Sequence, residues 1–217
     1  EAYVGGGINQ WREAKARWEG PDAHAEFVER TRRDSYELAR VVHSDIVRIA
    51  YWRMAEKPAR RLDDYTFLFG DPDGDYIVRQ LNPVTELFQV IDQRDREAPQ
   101  TVDDLERQVI AAEMRIETYQ PTAEDFKDIL QAMEDFGPDY VIPSSGFWVC
   151  VPNRDPLWLE AVAARPDLVE RLLECQYESS RRKIEAQKDL PMNYLYGGGD
   201  FCGKNGPNYS PAFFRKA

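Results

Sequence analysis

The second half of this 217-residue chain alternates helix signals with short apolar segments, and this order limits the possible folds most. Thr101 and Thr122 each open a helical stretch and have an acid three residues later, as in a capping box. The segments 139–145 and 192–196 are short and largely apolar, which favours strands. Alternating helices and strands predict an α/β fold in which parallel strands are joined by helical crossovers.

The first half of the chain carries three further signals. Residues 22–43 repeat apolar side chains among charges, which predicts an amphipathic helix with Asp22 as its N-cap. Residues 45–53, DIVRIAYWR, are β-branched and short, as expected of a strand. Within 66–81, two β-rich runs flank Asp-Pro-Asp-Gly, which predicts a hairpin; the acidic spacing of a calcium loop is missing. Residues 1–21 show little pattern and are interpreted as an N-terminal extension to one domain, 22–217.

Charge and cysteine content exclude several classes of function. The chain has 28 basic and 39 acidic residues, a net charge of −11, which argues against a nucleic-acid or anionic-membrane surface. No apolar run reaches the ~18 residues that a membrane span needs. Cys150, Cys175 and Cys202 are odd in number, widely spaced and without a CxxC pair. Such cysteines favour reduced thiols, and the sequence therefore predicts a cytoplasmic protein.

Aromatic residues follow two of the predicted strands. In α/β folds, ligands bind just past the carboxyl ends of the strands. Trp52 and Arg53 close the first strand, and Phe147 and Trp148 follow the strand at 139–145. We expect these residues to bind substrate, with the aromatic rings as walls around a flat or apolar ligand. The alternative is that the aromatic rings pack in a core.

A glycine-rich loop, GGGDFCGKNGP, follows the strand predicted at 192–196. Glycines 197–199 allow a ligand to approach the backbone closely, but the loop lacks the GxxxxGK[ST] pattern of a phosphate loop. Asp200 is the first acid after the strand, which is a usual place for a catalytic acid, base or ligand-orienting group. Alternatively, Asp200 caps the turn that follows.

Other residues of this loop are candidate ligand contacts, namely Gly199, Cys202, Asn205 and Tyr209. Cys202 could act as a thiolate, but no histidine is near it in sequence, and the chain has only His24 and His43. We therefore expect no metal site within this segment. Ser210 and Pro211 have the residue types of a helix N-cap and first helical position.

The stretch GGGDFCGKNGPNYSPAFFRK resembles a loop of the uroporphyrinogen decarboxylase superfamily, D-x-x-x-x-x-G-x-x-x-SP-x-x-[FY]-R. The matching positions are Asp200, Gly206, Ser210, Pro211, Phe214 and Arg215. SDIVRIAYWR also resembles the family's first strand, although Ser44 replaces the usual glycine, and TFLFGDPDGDYIV resembles the hairpin of its methyltransferase-like branch.

The resemblance implies a TIM (β/α)₈ barrel. Such barrels usually need about 250 residues, so the chain is interpreted as the N-terminal half to two-thirds of one, incomplete at its C-terminus. The C-terminal half of the barrel, in the same or a separate chain, is then an expected partner.

Within this superfamily, the chain is most similar to the corrinoid-dependent methyltransferases, including demethylases. It lacks the arginine-bearing P-x-W-x-M-R-Q-A-G-R motif of the true decarboxylases. The resemblance implies methyl transfer between a small methyl donor, the cobalt of a corrinoid on a partner protein, and a thiol or folate acceptor. It also implies zinc, with ligands outside this segment, and an Asp200 that orients the ligand.

Two alternatives remain open from the sequence. One is a uroporphyrinogen decarboxylase-like carboxy-lyase, in which Asp200 stabilises a protonated intermediate. The other is a non-catalytic subunit that binds a corrinoid or tetrapyrrole.

Overall fold

The structure is a computed structural model that describes residues 6–48, 53–54, 56–152, 155–192, 194–198, 202–203 and 206–216. The chain divides into two compact units. The first unit comprises Glu1–Ala98 and Asp128–Ile142, and the second comprises Pro99–Lys127 and Pro143–Ala217.

The described residues form helices and short strands in the following order. The helices are α1 (Gly6–Glu19), α2 (Pro21–Val42), α3 (Leu105–Thr118), α4 (Lys127–Phe136), α5 (Pro156–Ala164), α6 (Pro166–Gln187) and α7 (Pro211–Lys216). The strands are β1 (Arg60–Arg61), β2 (Thr66–Gly70), β3 (Tyr76–Asn82), β4 (Leu87–Arg94), β5 (Ser144–Ser145), β6 (Leu195–Tyr196), β7 (Cys202–Gly203) and β8 (Gly206–Pro207).

An antiparallel sheet in the order β1-β2-β3-β4 is the largest sheet of the first unit. The hairpin predicted around Asp-Pro-Asp-Gly is confirmed, because β2 pairs antiparallel with β3 and Gly70 lies opposite Tyr76. The N–H of Gly74 donates to the Asp71 carbonyl over 3.0 Å and closes the turn. A side-chain oxygen of Asp71 accepts from the N–H of Asp73 at 2.9 Å, which is the local hydrogen bond that favours Asp in turns.

Two apolar clusters hold the first unit together. Phe67, Phe69, Leu81 and Phe88 of the sheet pack with Ala14 of α1. The second cluster joins α2, the segment after it and α4 through Ala39, Val47, Ala132 and Ile142. Helix α2 begins at Pro21, and Gly20 precedes it without a side-chain cap, so the prediction of Asp22 as N-cap was wrong. Proline suits the first helical position because its missing N–H would have no partner there.

The second unit is mainly helical. Its core includes Leu105 and Val109 of α3, Trp158 of α5, and Leu168 and Val169 of α6. The capping box predicted at Thr101 is confirmed, with Asp104 as its acid, and it precedes a short 3₁₀ turn that leads into α3. Thr122 and Asp125 form the second predicted box before another 3₁₀ turn and α4. Strands β5 and β6 pair in parallel.

The prediction of a TIM (β/α)₈ barrel, complete or partial, was wrong. The longest strands form an antiparallel sheet because tight turns join β2 to β3 and β3 to β4, and such turns reverse the chain direction. Parallel pairing within the described residues is limited to β5 with β6 and one bridge between Ile46 and Val141. The expectation of a C-terminal barrel half as a partner followed from that architecture alone, and it loses its basis.

Hydropathy along the helices bears on membrane insertion. Within the described ranges, every helix is either too short or too polar to cross a bilayer.

Candidate functional site

The carboxyl ends of β5 and β6 bring two of the predicted ligand loops together. Ser144 lies opposite Leu195, and Ser145 lies opposite Tyr196 in the parallel pair. The N–H of Gly146 then donates to the carbonyl of Tyr196 over 2.8 Å. The aromatic loop after β5 is therefore held beside the glycine-rich loop after β6.

Position 197 requires glycine because the neighbouring loop lies too close to leave room for a side chain. A Cβ atom on Gly197 would lie 2.2 Å from the carbonyl oxygen of Phe147, which is far inside van der Waals contact. Gly198 follows with φ at +151°, and its N–H donates to the same Phe147 carbonyl over 3.1 Å. Close backbone approach thus explains Gly197, and the positive φ explains Gly198.

Phe147 and Trp148 are exposed aromatic side chains on an anchored backbone. Their exposed fractions are 46% and 50%. The Phe147 ring packs edge-on against Tyr177 of α6, with ring centres 5.8 Å apart. The Ser180 hydroxyl accepts a hydrogen bond from the Trp148 N–H at 3.1 Å and donates one to the Trp148 carbonyl at 3.2 Å. These two bonds fix the backbone of Trp148. Both rings are open to a ligand, and contact with a substrate stays a prediction.

Tyr209, a predicted substrate contact, lies in the core of the second unit. Only 8% of the residue is exposed, and its hydroxyl donates to the Val151 carbonyl over 3.1 Å. Its ring also packs against Phe213, with centres 5.6 Å apart. The hydroxyl therefore has a partner within the protein.

Several predicted site residues lie outside the part of the chain that the structure describes. These are Trp52, Gly199, Asp200 and Asn205. For Cys202 only the backbone is described, as part of β7. Their assigned roles remain predictions from the sequence.

Arg53, another predicted substrate contact, is bound to a buried carboxylate, that of Glu13 in α1. Glu13 is fully buried. Its Oε1 atom accepts from Arg53 Nε at 3.0 Å and lies 3.0 Å from Nε2 of His24. Its Oε2 atom accepts from the N–H of Met54 at 2.6 Å, and Arg17 lies 3.3 Å away. We call these residues the Glu13 cluster.

The surroundings of Glu13 keep its carboxylate ionised. Burial opposes the charge, but the hydrogen bond from the Met54 N–H, together with His24 and Arg53, outweighs it and lowers the pKa of Glu13 below its usual value. A buried carboxylate that has this many hydrogen-bond donors around it has its hydrogen-bonding capacity filled, so it is not available to react. The cluster therefore ties α1 and α2 to residues 53–54 and fixes the Arg53 guanidinium.

The sequence interpretation missed Glu13. Arg53, which binds Glu13, is 40 residues away along the chain. Local sequence patterns do not extend over that separation. The one local signal is the spacing of Glu13 and Arg17, four residues apart, which suits an ion pair on a helix.

Within the described residues, no three His, Cys, Asp or Glu side chains come together as a metal site. The prediction of zinc concerned ligands outside this segment and stays a prediction.

Comparison with known proteins finds no relative: no family model, no curated protein and no solved structure matches the chain.

Proposed function

We propose that the protein is a corrinoid-dependent methyltransferase whose small methyl donor binds at the carboxyl ends of β5 and β6. The observation that carries this proposal is the hydrogen bond from the Gly198 N–H to the Phe147 carbonyl, 3.1 Å long. It joins an aromatic loop to a glycine-rich loop at the edge of a parallel strand pair, which is where α/β proteins bind ligands.

The conformation at the end of the described chain also supports the proposal. The resemblance to the uroporphyrinogen decarboxylase superfamily rests on the stretch from Asp200 to Arg215 and includes a Ser-Pro pair. Helix α7 begins at Pro211, and the N–H of Phe213 donates to the Ser210 hydroxyl over 3.1 Å. Ser210 thus caps the helix, as its residue type predicts. This support concerns the loop and does not depend on a barrel.

Each part of the site has a chemical role in this proposal. The corrinoid, carried by a partner protein, supplies a cobalt that accepts or donates the methyl group. Phe147 and Trp148 provide flat apolar surface, with 46% and 50% of each residue exposed. Gly197 and Gly198 present no side chain that would hold a donor away, and Asp200 orients the donor by a hydrogen bond.

Positioning is the main contribution of this chain to the reaction. The methyl carbon would leave its heteroatom without the bonding electrons, which stay on the heteroatom, and the reduced corrinoid would supply the electron pair of the new bond, in line with the bond that breaks. Holding the two reactants in that alignment accelerates such a displacement more than acid–base catalysis does. Because no described residues form a metal site, no step is assigned to zinc.

The remaining parts of the proposal come from the sequence. The methyl acceptor is a thiol or a folate, and the protein acts in the cytoplasm. The three cysteines, odd in number and far apart, suit a reducing compartment.

Transfer of an isotopic methyl label tests the proposed function. The full chain is incubated with reduced cobalamin and one labelled donor at a time: methanol, methylamines, dimethyl sulfide or a methoxylated aromatic compound. We expect label in the cobalamin fraction with at least one donor, and none with heat-denatured protein. Absence of transfer from every donor would reject the proposal, and release of carbon dioxide from a porphyrinogen would then identify a carboxy-lyase.

A further inference from the structure

A cavity of the second unit lies among α3, α6, the end of β5 and the segment after it, and its volume is about 600 Å³. Although the chain has 39 acidic residues, none of the described residues that line this cavity is acidic. The lining does contain two basic side chains, Arg115 of α3 and Lys183 of α6. The whole chain has a net charge of −11, whereas the described residues that line this cavity have an excess of positive charge.

Neither basic side chain is neutralised by a partner. Arg115 donates from Nε to the Ala111 carbonyl at 3.2 Å, and neither Arg115 nor Lys183 forms an ion pair with any residue that the structure describes. Other basic residues of α6 and its C-terminus are paired, in contrast: Arg171 with Glu113 at 2.8 Å, Arg181 with Glu178 at 2.7 Å, and Lys188 with Glu185 at 2.6 Å. The two cavity cations are therefore available to an external anion.

Neutral donors and apolar surface complete the lining. The Oε1 atom of Gln176 accepts from the N–H of Cys150 at 2.7 Å, which fixes the amide so that its NH₂ group remains a donor. The hydroxyls of Tyr119 and Ser179 belong to residues that line the cavity as well. The exposed ring of Trp148 and the side chain of Leu172 supply apolar walls.

We propose that this cavity binds a small organic anion, with a carboxylate or phosphate held by Arg115 and Lys183 and a flat apolar body against Trp148. Charge-assisted hydrogen bonds to two cations give the affinity, and the apolar walls select against inorganic anions. The cavity adjoins the proposed methyl-donor site and shares Trp148 with it, and the occupant of the cavity is a second ligand.

Calorimetric titration of the full chain tests the proposal. The probes are phenyl phosphate and benzoate, and the matched neutral probe is benzyl alcohol. We expect at least one of the two anions to bind at millimolar concentration or below, and at least about tenfold more tightly than benzyl alcohol, since hydrogen bonds to charged groups contribute most of the affinity. The anion that binds more tightly distinguishes a phosphate from a carboxylate ligand.

Single substitutions locate the binding site. Lys183→Gln and Arg115→Gln should each weaken binding of the preferred anion by about tenfold. Lys188→Gln removes a charge near the end of the same helix, at a position that does not line the cavity, and should leave binding unchanged. Circular dichroism establishes that each variant is folded before titration.

Thiol protection gives a readout that does not depend on affinity. Cys150 and Cys175 both line the cavity and form no disulfide. Saturating phenyl phosphate or benzoate, whichever binds, should slow their modification by N-ethylmaleimide in the unmodified sequence but not in Lys183→Gln. Absence of binding by both anions, equal binding of benzyl alcohol, or an equal loss in Lys188→Gln would each overturn the proposal. These measurements use no methyl donor or cobalamin, so they are independent of whether methyl transfer occurs.

Discussion

The N–H of Gly198 donates a hydrogen bond to the Phe147 carbonyl over 3.1 Å, and this contact connects the loops that follow β5 and β6. Gly197 lies so close to the same carbonyl that a side chain cannot be accommodated without movement of the backbone. The relative position of the two loops is therefore set by main-chain contacts, which leaves the side chains of the site free to bind a ligand.

Gly197→Ala should separate the two loops. Its Cβ would lie 2.2 Å from the Phe147 carbonyl oxygen, so the backbone must shift. We expect the free energy of unfolding, measured by urea denaturation, to fall by about 2 kcal/mol. Ser145→Ala, an exposed position in β5, is the control and should change it by less than about 0.5 kcal/mol. An equally stable Gly197→Ala protein would show that the loops are not in contact.

Glu13→Gln should destabilise the first unit while keeping the shape of the side chain. The substitution removes the buried carboxylate that faces Arg17, His24 and Arg53 and leaves these partly buried donors with a neutral partner. A loss of about 3 kcal/mol in the free energy of unfolding is expected for a broken buried ion pair. Glu19→Gln serves as the control, because Glu19 is half-exposed at the end of the same helix and lies 3.8 Å from Lys15.

The same cluster predicts a dependence of stability on acid pH. The pKa of Glu13 is lower in the folded protein than in the unfolded chain, mainly because donors from Met54, His24 and Arg53 outweigh the effect of burial. Its stabilising contribution is thus complete above the unfolded value, about 4.3, and is lost as pH falls through the folded value. In urea titrations below pH 5, Glu13→Gln should lose less stability than the unmodified sequence. Parallel acid profiles would contradict this role.

Tyr209→Phe distinguishes a packing role from substrate contact. Deleting the hydroxyl leaves the buried Val151 carbonyl without its partner, 3.1 Å away, and should cost about 1 kcal/mol of unfolding free energy. Because the hydroxyl points at that carbonyl, KM for the methyl donor should not change. Tyr177→Phe, at an exposed position, is the control for the loss of a hydroxyl. A raised KM with unchanged stability would support the role that the sequence predicted.

Local signals predicted local structure well. The Asp71–Gly74 turn, both capping boxes and the start of α7 at Pro211 each depend on residues within four positions of one another. Strands were predicted in segments 139–145 and 192–196, and each segment contains one two-residue strand of the parallel pair.

Long-range structure could not be predicted in the same way. The buried positions of helix α1 include the polar residues Asn9 and Glu13, which weakens the apolar pattern of its sequence. The antiparallel sheet depends on β4 turning back onto β3, for which the interpretation had no signal. A resemblance centred on one loop gave the wrong architecture, since it carried no information on how the strands of the first unit pair.

The methyl-transfer rate of Phe147→Ala tests the central claim most directly. Phe147 lies at the carboxyl end of β5 with an exposed ring, whereas Tyr194, also exposed, lies at the amino end of β6. We predict that Phe147→Ala lowers kcat/KM for the methyl donor by about tenfold or more, because it removes an aromatic wall of the site, while Tyr194→Ala changes it less than about twofold. Equal rates for Phe147→Ala and the unmodified sequence, or a larger loss in Tyr194→Ala, would contradict a methyl-donor site at the carboxyl ends of β5 and β6.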